Sequence, residues 1–249
     1  MQEEKKLNCL LVTSRITFVP NNYNNLVFGL LQNYHVVGCV ELNNFSLGLL
    51  LKSIGMMLIG APRIGFHLFK NCLAAAKNER KKFTKSQNKL YRSYRTINQR
   101  EALDFIKENE IDIVINARTR CIYKKEVLQV PKIGCVNIHH GLLPAQRGTM
   151  CDLWALSENQ TSGFTVHLVN ENIDDGEILK CVEVPHDKNY PAYLKSVSSC
   201  ELNAMIELLD EINTFGLQTR KNLPNCVVKH RKNPTKIEIG EIRNKGIRL

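Results

Sequence analysis

Hydrophobic positions come first as short unbroken runs and later as alternating or helical patterns. The run "LNCLLVT" has the length and continuity of a strand buried on both faces. The polar stretch "SRITFVPNNYNN" follows it, then "NLVFGLLQNY", whose apolar spacing predicts a helix, then a second strand, "HVVGCVEL". This β-α-β opening predicts an α/β fold with an open, mostly parallel, Rossmann-like sheet, whose ligands sit beyond the carboxyl ends of the strands. The first turn contains neither GxGxxG nor GxxxxGK[ST], so a glycine cradle for a nucleotide has no support. Residues 45–98 break the rhythm with expected helices, an apolar one and then a basic one, and read as a helical insertion.

Periodicity returns with "NQREALDFIKENE", an amphipathic helix carrying Leu103, Phe105 and Ile106 near one face, followed by the strand "IDIVINA". After the connection "KKEVLQVPKIG" comes "CVNIH", another buried strand. "GFTVHLVN" alternates as a half-buried strand, "ENIDDG" supplies turn chemistry, and "EILKCVEVP" is a further strand. Leu194, Val197, Leu202, Ile206, Leu209 and Ile212 recur at helical spacing up to Gly216. Residues 1–216 therefore read as one domain, and residues 217–249 as a short basic extension able to hold a small hairpin or a docked tail.

Composition refines this picture at three points. The nine cysteines are scattered, odd in number and without a CxxC pair, which fits buried thiols in a reducing compartment better than a disulfide framework. The lead-in "MQEEKK" and the short run after it do not resemble a secretory signal, and Lys52, Pro62 and Arg63 interrupt the most apolar segment well before a membrane span is complete. The expected location is cytoplasmic, with attachment at a membrane surface as an alternative. The net charge is +10, and between Lys77 and Arg100 nine Lys and Arg residues face the single acid Glu79. Such a stretch is either a solvated helix face or an attraction for phosphate on a substrate, a nucleic acid or an anionic lipid. Tyr91 and Tyr94, interleaved there, read as packing residues at helical spacing.

The chemistry gathers in "VNIHHGLLPAQRG". Asn137 and His139 are two apart on a strand end, so their side chains share a face, and Asp174 lies in a turn between two later strands. An amide donor, an imidazole and a carboxylate converging on a carbonyl carbon can stabilise a developing oxyanion, at about 3 kcal/mol for one donor, and can move protons. No serine or cysteine stands in a motif with them, so the nucleophile belongs to the substrate. His140 reads as a packing or acceptor-contact residue, and His167 as a surface or core histidine. Arg147 suits phosphate or carboxylate recognition, and no ligand spacing suggests a metal.

The order of "VNIHHGLLPAQRG" and "GFTVHLVNENIDDGEIL" resembles the signature of the folate-dependent formyltransferases: an Asn-x-His pair, a Leu-Leu-Pro-x-x-Arg-Gly turn, and an Asp-x-Gly turn after a Gly-x-Thr strand. The resemblance covers residues 98–182 closely. It implies that Asn137, His139 and Asp174 form the catalytic triad, and that 10-formyltetrahydrofolate is the co-substrate. Its pterin would be held mainly by backbone groups of two loops, Arg120, Cys121, Ile122 and Tyr123 in one and Glu171, Asn172 and Ile173 in the other. Asp174 rather than Asp175 matches the carboxylate two before Gly176. His140 and Gly141 depart from the usual small residue followed by serine, so His140, with Arg147, is a candidate acceptor contact, and Arg118 and Arg120 are candidates for the folate tail or an acceptor phosphate.

Among the acceptors of this family, glycinamide ribonucleotide is disfavoured because the first loop lacks the expected glycine-serine-asparagine sequence. A methionyl-tRNA formyltransferase or a formyltetrahydrofolate hydrolase is expected to carry a further domain for which the chain has little room. The expected acceptor is a primary amine on a nucleotide-linked or lipid-linked amino sugar. Transfer to tRNA or glycinamide ribonucleotide, or a silent formyltransferase fold that binds polyanions, are the competing readings. A homodimer and an anionic membrane or nucleic acid at residues 77–100 complete the expected partners.

Overall fold

The computed structural model describes residues 6–224 and 228–249; the first five residues, part of the polar lead-in, and Cys226 lie outside them. A seven-stranded sheet forms the centre. Its strands are β1 (Cys9–Ser14), β2 (Val36–Leu42), β3 (Leu90–Tyr94), β4 (Ile113–Ala117), β5 (Gly134–His139), β7 (Gly163–Leu168) and β8 (Ile178–Glu183), in the order β3-β2-β1-β4-β5-β7-β8. Pairing is parallel from β3 through β5 and antiparallel from β5 to β8. Two short strands, β6 (Gln146–Gly148) and β9 (Lys229–Arg231), pair separately. The helices are α1 (Asn24–Asn33), α2 (Leu47–Leu58), α3 (Pro62–Ala74), α4 (Glu79–Ser86), α5 (Arg100–Glu108), α6 (Lys125–Leu128), α7 (Cys151–Ser157), α8 (Tyr190–Phe215) and α9 (Lys236–Asn244).

Strand alternation divides the core into two layers. Cys9 and Leu11 of β1, Ile113 and Ile115 of β4, Val136 and Ile138 of β5, and Phe164 and Val166 of β7 pack in one cluster with α1 and α8. Leu10, Val12, Val114 and Cys135 face the opposite cluster, which α5 covers with Ala102, Phe105 and Ile106. With apolar neighbours required on both sides, β1 and β4 are buried throughout. The same alternation fixes the site, because Asn137 and His139 must then lie on the α5 side of β5 and His140 must turn the other way.

The expectations for the basic stretch are corrected. Leu90–Tyr94, within the basic stretch expected to be helical, is the edge strand β3, parallel to β2. An edge strand needs a partner on one side only and tolerates charge; the exposed Arg92 does so, while Tyr91 donates to Glu41 Oε1 at 3.2 Å. Only α2, α3 and α4 therefore depart from the sheet's rhythm within 45–98. Arg80, counted with the basic stretch, is buried, donating to Ser14 O at 2.6 Å and Asn24 Oδ1 at 2.8 Å. The C-terminal extension, in its described residues, is docked rather than a hairpin. Thr235 and Glu238 cap α9 reciprocally, and Ile239, Ile242, Ile247 and Leu249 join the α1–α8 core.

Candidate active site

The antiparallel pairing of β5 with β7 sets Asn137 opposite His167 and His139 opposite Thr165, all on one face. Beyond β7 the chain folds back so that Asp174, with φ +53°, meets the end of β5. Gly176 permits this return, since a Cβ there would stand 1.7 Å from the Leu168 carbonyl oxygen. Asn222, from the C-terminal extension, holds the turn by donating from Nδ2 to the carbonyls of Asp174 and Gly176, each at 3.0 Å.

Asp174 is the hub of the cluster. Its Oδ1 lies 3.3 Å from His139 Nδ1 and 3.9 Å from His167 Nε2, and its Oδ2 accepts the Gly148 N–H at 3.0 Å. The second nitrogen of His139, Nε2, donates to the Gln146 carbonyl at 2.7 Å. Both imidazole nitrogens thus face oxygen acceptors, an arrangement that only the imidazolium satisfies fully. Burial opposes that charge and pushes the His139 pKa below its usual value, while Asp174 and the Gln146 carbonyl pull it upward. Gly141 is required beside this ring: a Cβ there would lie 2.7 Å from His139 Nε2 and 2.8 Å from Cys151 Cβ.

His167, read from the sequence as a surface or core histidine, is a buried member of the cluster. Its Nδ1–H donates to the Leu168 carbonyl at 2.7 Å, leaving the Nε2 lone pair to accept Asn137 Nδ2 at 3.1 Å. Burial, with the neighbouring His139, lowers its pKa to about 4, so it stays neutral near neutral pH. That tautomer determines which end of the Asn137 amide is nitrogen and leaves the second amide hydrogen free. The signal available in the sequence was the register of His167 against Asn137, which becomes visible only once the strand pairing is known.

His140 and Arg147, expected to contact an acceptor, are instead engaged within the protein. Arg147 is buried, donating to Asp175 Oδ1 at 2.6 Å and to the Asn222 carbonyl at 3.0 Å. The guanidinium in turn holds the Asp175 carboxyl below its usual range. His140 lies on the α8 side, with Nδ1 3.2 Å from Asp152 Oδ2 and Nε2 2.5 Å from Glu201 Oε1. The Arg118 guanidinium rests against the His140 ring and over the rings of Phe18 and Tyr23, so Arg118 is turned inward as well. Tyr23 donates to Glu201 Oε2 at 2.6 Å and Tyr190 to Asp152 Oδ1 at 3.0 Å. Burial and Arg118 disfavour the His140 cation, but Glu201 and Asp152 outweigh them and its pKa is raised. Glu201 was detectable as the one acid on the apolar stripe of α8, four residues after Val197 and four before Met205.

The two expected pterin loops flank the sheet's carboxyl end. Arg120 is exposed, Cys121 half-buried, Ile122 64% exposed and Tyr123 buried; Glu171, Asn172 and Ile173 are exposed, Ile173 to 63%. Ile122 and Ile173 thus each leave an apolar side chain uncovered, one on each loop. Asn98 secures the first loop by donating from Nδ2 to the Ile122 carbonyl at 2.8 Å. Burial raises the thiol pKa of Cys9, Cys39 and Cys135 to about 12, which makes them poor nucleophiles. Among the described residues no group of three or more His, Cys, Asp and Glu is arranged to hold a metal ion.

An open α/β sheet that delivers an Asn-x-His strand and a returning carboxylate to its carboxyl end is an enzyme scaffold suited to group transfer. The formyl transferase family model matches residues 68–209, more than half of the chain, and the protein belongs to that family. The methionyl-tRNA formyltransferase of Blochmanniella floridana is 37% identical over 139 residues, 54% of this chain and 42% of that one. That of Clostridioides difficile is 31% identical over 132 residues, 53% of this chain and 41% of that one. The chain spans less than half the length of these curated relatives. In fold it is similar to a sugar N-formyltransferase from a Shewanella species, with a TM-score of 0.52 at 18% identity over 90% of this chain and 76% of that one. A phosphoribosylglycinamide formyltransferase from Streptococcus pneumoniae has a TM-score of 0.58 at 17% identity over 84% of this chain and all of that one.

Proposed function

We propose that the protein transfers the formyl group of 10-formyltetrahydrofolate to a primary amine of a small acceptor, an amino sugar linked to a nucleotide or a lipid. The observation that carries the formyl-transfer reading is the convergence of Asp174 on His139, 3.3 Å apart, beside an Asn137 amide whose direction His167 controls. Formyltetrahydrofolate would supply an activated formyl carbon, held against the loops 120–123 and 171–173. As an amine adds to that carbon, its oxygen becomes negative, and the free N–H of Asn137 supports that charge. His139 contributes a cation whose formation a nearby oxyanion favours, giving up its bond to Gln146 or keeping it as the oxygen approaches. Asp174 orients His139 and accepts the proton that leaves the amine; as the tetrahedral adduct collapses, the bond between the formyl carbon and the folate nitrogen would break and that nitrogen would take up a proton, releasing tetrahydrofolate and the formylated amine. Arg147 and Asn222 are positioning residues for the Asp174 turn, and the His140 network anchors the other face of β5.

The amino-sugar reading is supported by the loop after β1, where Arg15 pairs with Glu41 at 3.7 Å and donates to the Ala75 carbonyl at 3.0 Å instead of opening a glycine-rich phosphate cradle. A second reading, transfer to an aminoacyl-tRNA, is favoured by the identity to methionyl-tRNA formyltransferases and by the exposed Lys81, Lys82 and Lys85 on α4. Incubation with 10-formyltetrahydrofolate and a panel of nucleotide-linked amino sugars, glycinamide ribonucleotide and methionyl-tRNA separates them, read as acceptor-dependent tetrahydrofolate release. Release dependent on the tRNA alone would overturn the sugar reading, and no release with any amine would overturn formyl transfer.

A further inference from the structure

The helices α2 and α3 carry a surface that the catalytic cluster does not use. In α2 the partly buried Leu49, Leu50 and Met56 cover a small cluster formed by Ile16, Leu68 and Cys72. The opposite side carries Leu47, Leu51, Ile54 and Leu58, at i, i+4, i+7 and i+11, and all four are exposed, Leu47 to 69% and Leu58 to 81%. Positions with this spacing form one stripe along the helix. In α3 the exposed residues Arg63, Phe66, Lys70 and Leu73 lie at i, i+3, i+7 and i+10, which also places them on one side of the helix. Eight of the fourteen large hydrophobic side chains exposed among the described residues fall between Phe45 and Leu73, so this is one concentrated patch and not the usual scatter.

The charge around the patch selects its occupant. From Phe45 to Asn78 the chain contains Lys52, Arg63, Lys70 and Lys77 and no aspartate or glutamate. All four cations are exposed. A second copy of the same face would bring like charges together around its apolar centre, and a nucleic acid would leave the aliphatic stripe in water. An anionic bilayer satisfies both features, because acyl chains receive the leucines while headgroup phosphates neutralise the surrounding cations. No helix among the described residues is long and apolar enough to cross a membrane, so the contact is with the surface.

We propose that the α2–α3 hairpin is a docking face for anionic lipid membranes, with Leu47, Leu51, Ile54, Leu58 and Phe66 entering the interface and Lys52, Arg63 and Lys70 contacting headgroups. The test is flotation of the full chain with vesicles of phosphatidylcholine alone, or with about one-third phosphatidylglycerol, at low and high salt. Binding to the anionic vesicles is expected to exceed that to neutral ones at least about tenfold and to weaken with salt. Leu51→Glu with Leu58→Glu should reduce it by a further factor of about ten or more. Both residues are exposed, so circular dichroism should be unchanged. Should that variant fail to fold, Lys52→Gln with Lys70→Gln provides the same test through charge alone. Absence of binding to anionic vesicles, or binding that survives both variants or is lost instead on Lys81→Gln with Lys82→Gln, would overturn the proposal. So would a dimer in sedimentation that Leu51→Glu with Leu58→Glu dissociates, since the face would then belong to a second copy.

Discussion

Replacing Asp174 with asparagine removes the one negative charge beside His139 while keeping the shape of the side chain. The carboxamide oxygen can still accept the Gly148 N–H, now at 3.0 Å, so the turn should persist. Its NH2 group then faces His139 Nδ1, and two donors meet if the imidazole is charged. At 3.3 Å and an effective dielectric of 20, the lost attraction is on the order of 5 kcal/mol. Reorientation and water recover part of this, leaving an expected fall in turnover of about a thousandfold, or about 4 kcal/mol. Steady-state tetrahydrofolate release with a saturating acceptor measures the turnover, and calorimetric titration with folate should show an affinity changed by less than about threefold, because the loss is confined to the transition state. Asp175→Asn is the control: this carboxylate is half-exposed and pairs with Arg147 away from His139, so its loss should cost far less. The assignment fails if Asp174→Asn retains more than about a tenth of the turnover, or if Asp175→Asn loses as much.

Two further expectations concern stability. His167 has a folded pKa of about 4 against an unfolded value near 6.5, so its contribution is complete above pH 6.5 and is lost as pH falls toward 4, on the order of 3 kcal/mol in all. Urea midpoints between these pH values should therefore fall less steeply for His167→Asn than for the parent chain, and equal slopes would refute the buried neutral histidine. For Gly141→Ala, the added methyl would meet His139 Nε2 at 2.7 Å and the Gln146 carbonyl at 2.9 Å. A loss of about 1–3 kcal/mol of stability and of about tenfold or more in turnover is expected from displacement of the ring; unchanged kinetics would show that the ring does not need its present position.

How far the chain could be read without coordinates depended on how local each cause is. Continuous apolar runs made β1, β2, β4 and β5 legible, because strands covered on both faces admit few polar residues. Asn137 and His139 were legible as a pair because strand geometry puts alternate residues on one face whatever the tertiary context. The edge strand β3 was not, since its exposed, charged side carries the composition of a solvated helix. Nor was α9, whose stripe is short and whose stability comes from insertion into the α1–α8 core.

The sequence by itself determined the fold class, the strand carrying Asn137 and His139 and the chemical types of the candidate site residues, all consequences of side-chain periodicity and turn chemistry acting over a few positions. Tertiary structure alone decided the company those residues keep. His167 became a partner of Asn137 through antiparallel register, Arg147 and Asn222, 75 positions apart, became braces of the Asp174 turn, and His140 was drawn to Glu201 on the far side of the sheet. The physical reason is common to all three. A buried polar group must find a partner, and which partner it finds is set by the packing of distant elements rather than by its neighbours in the chain.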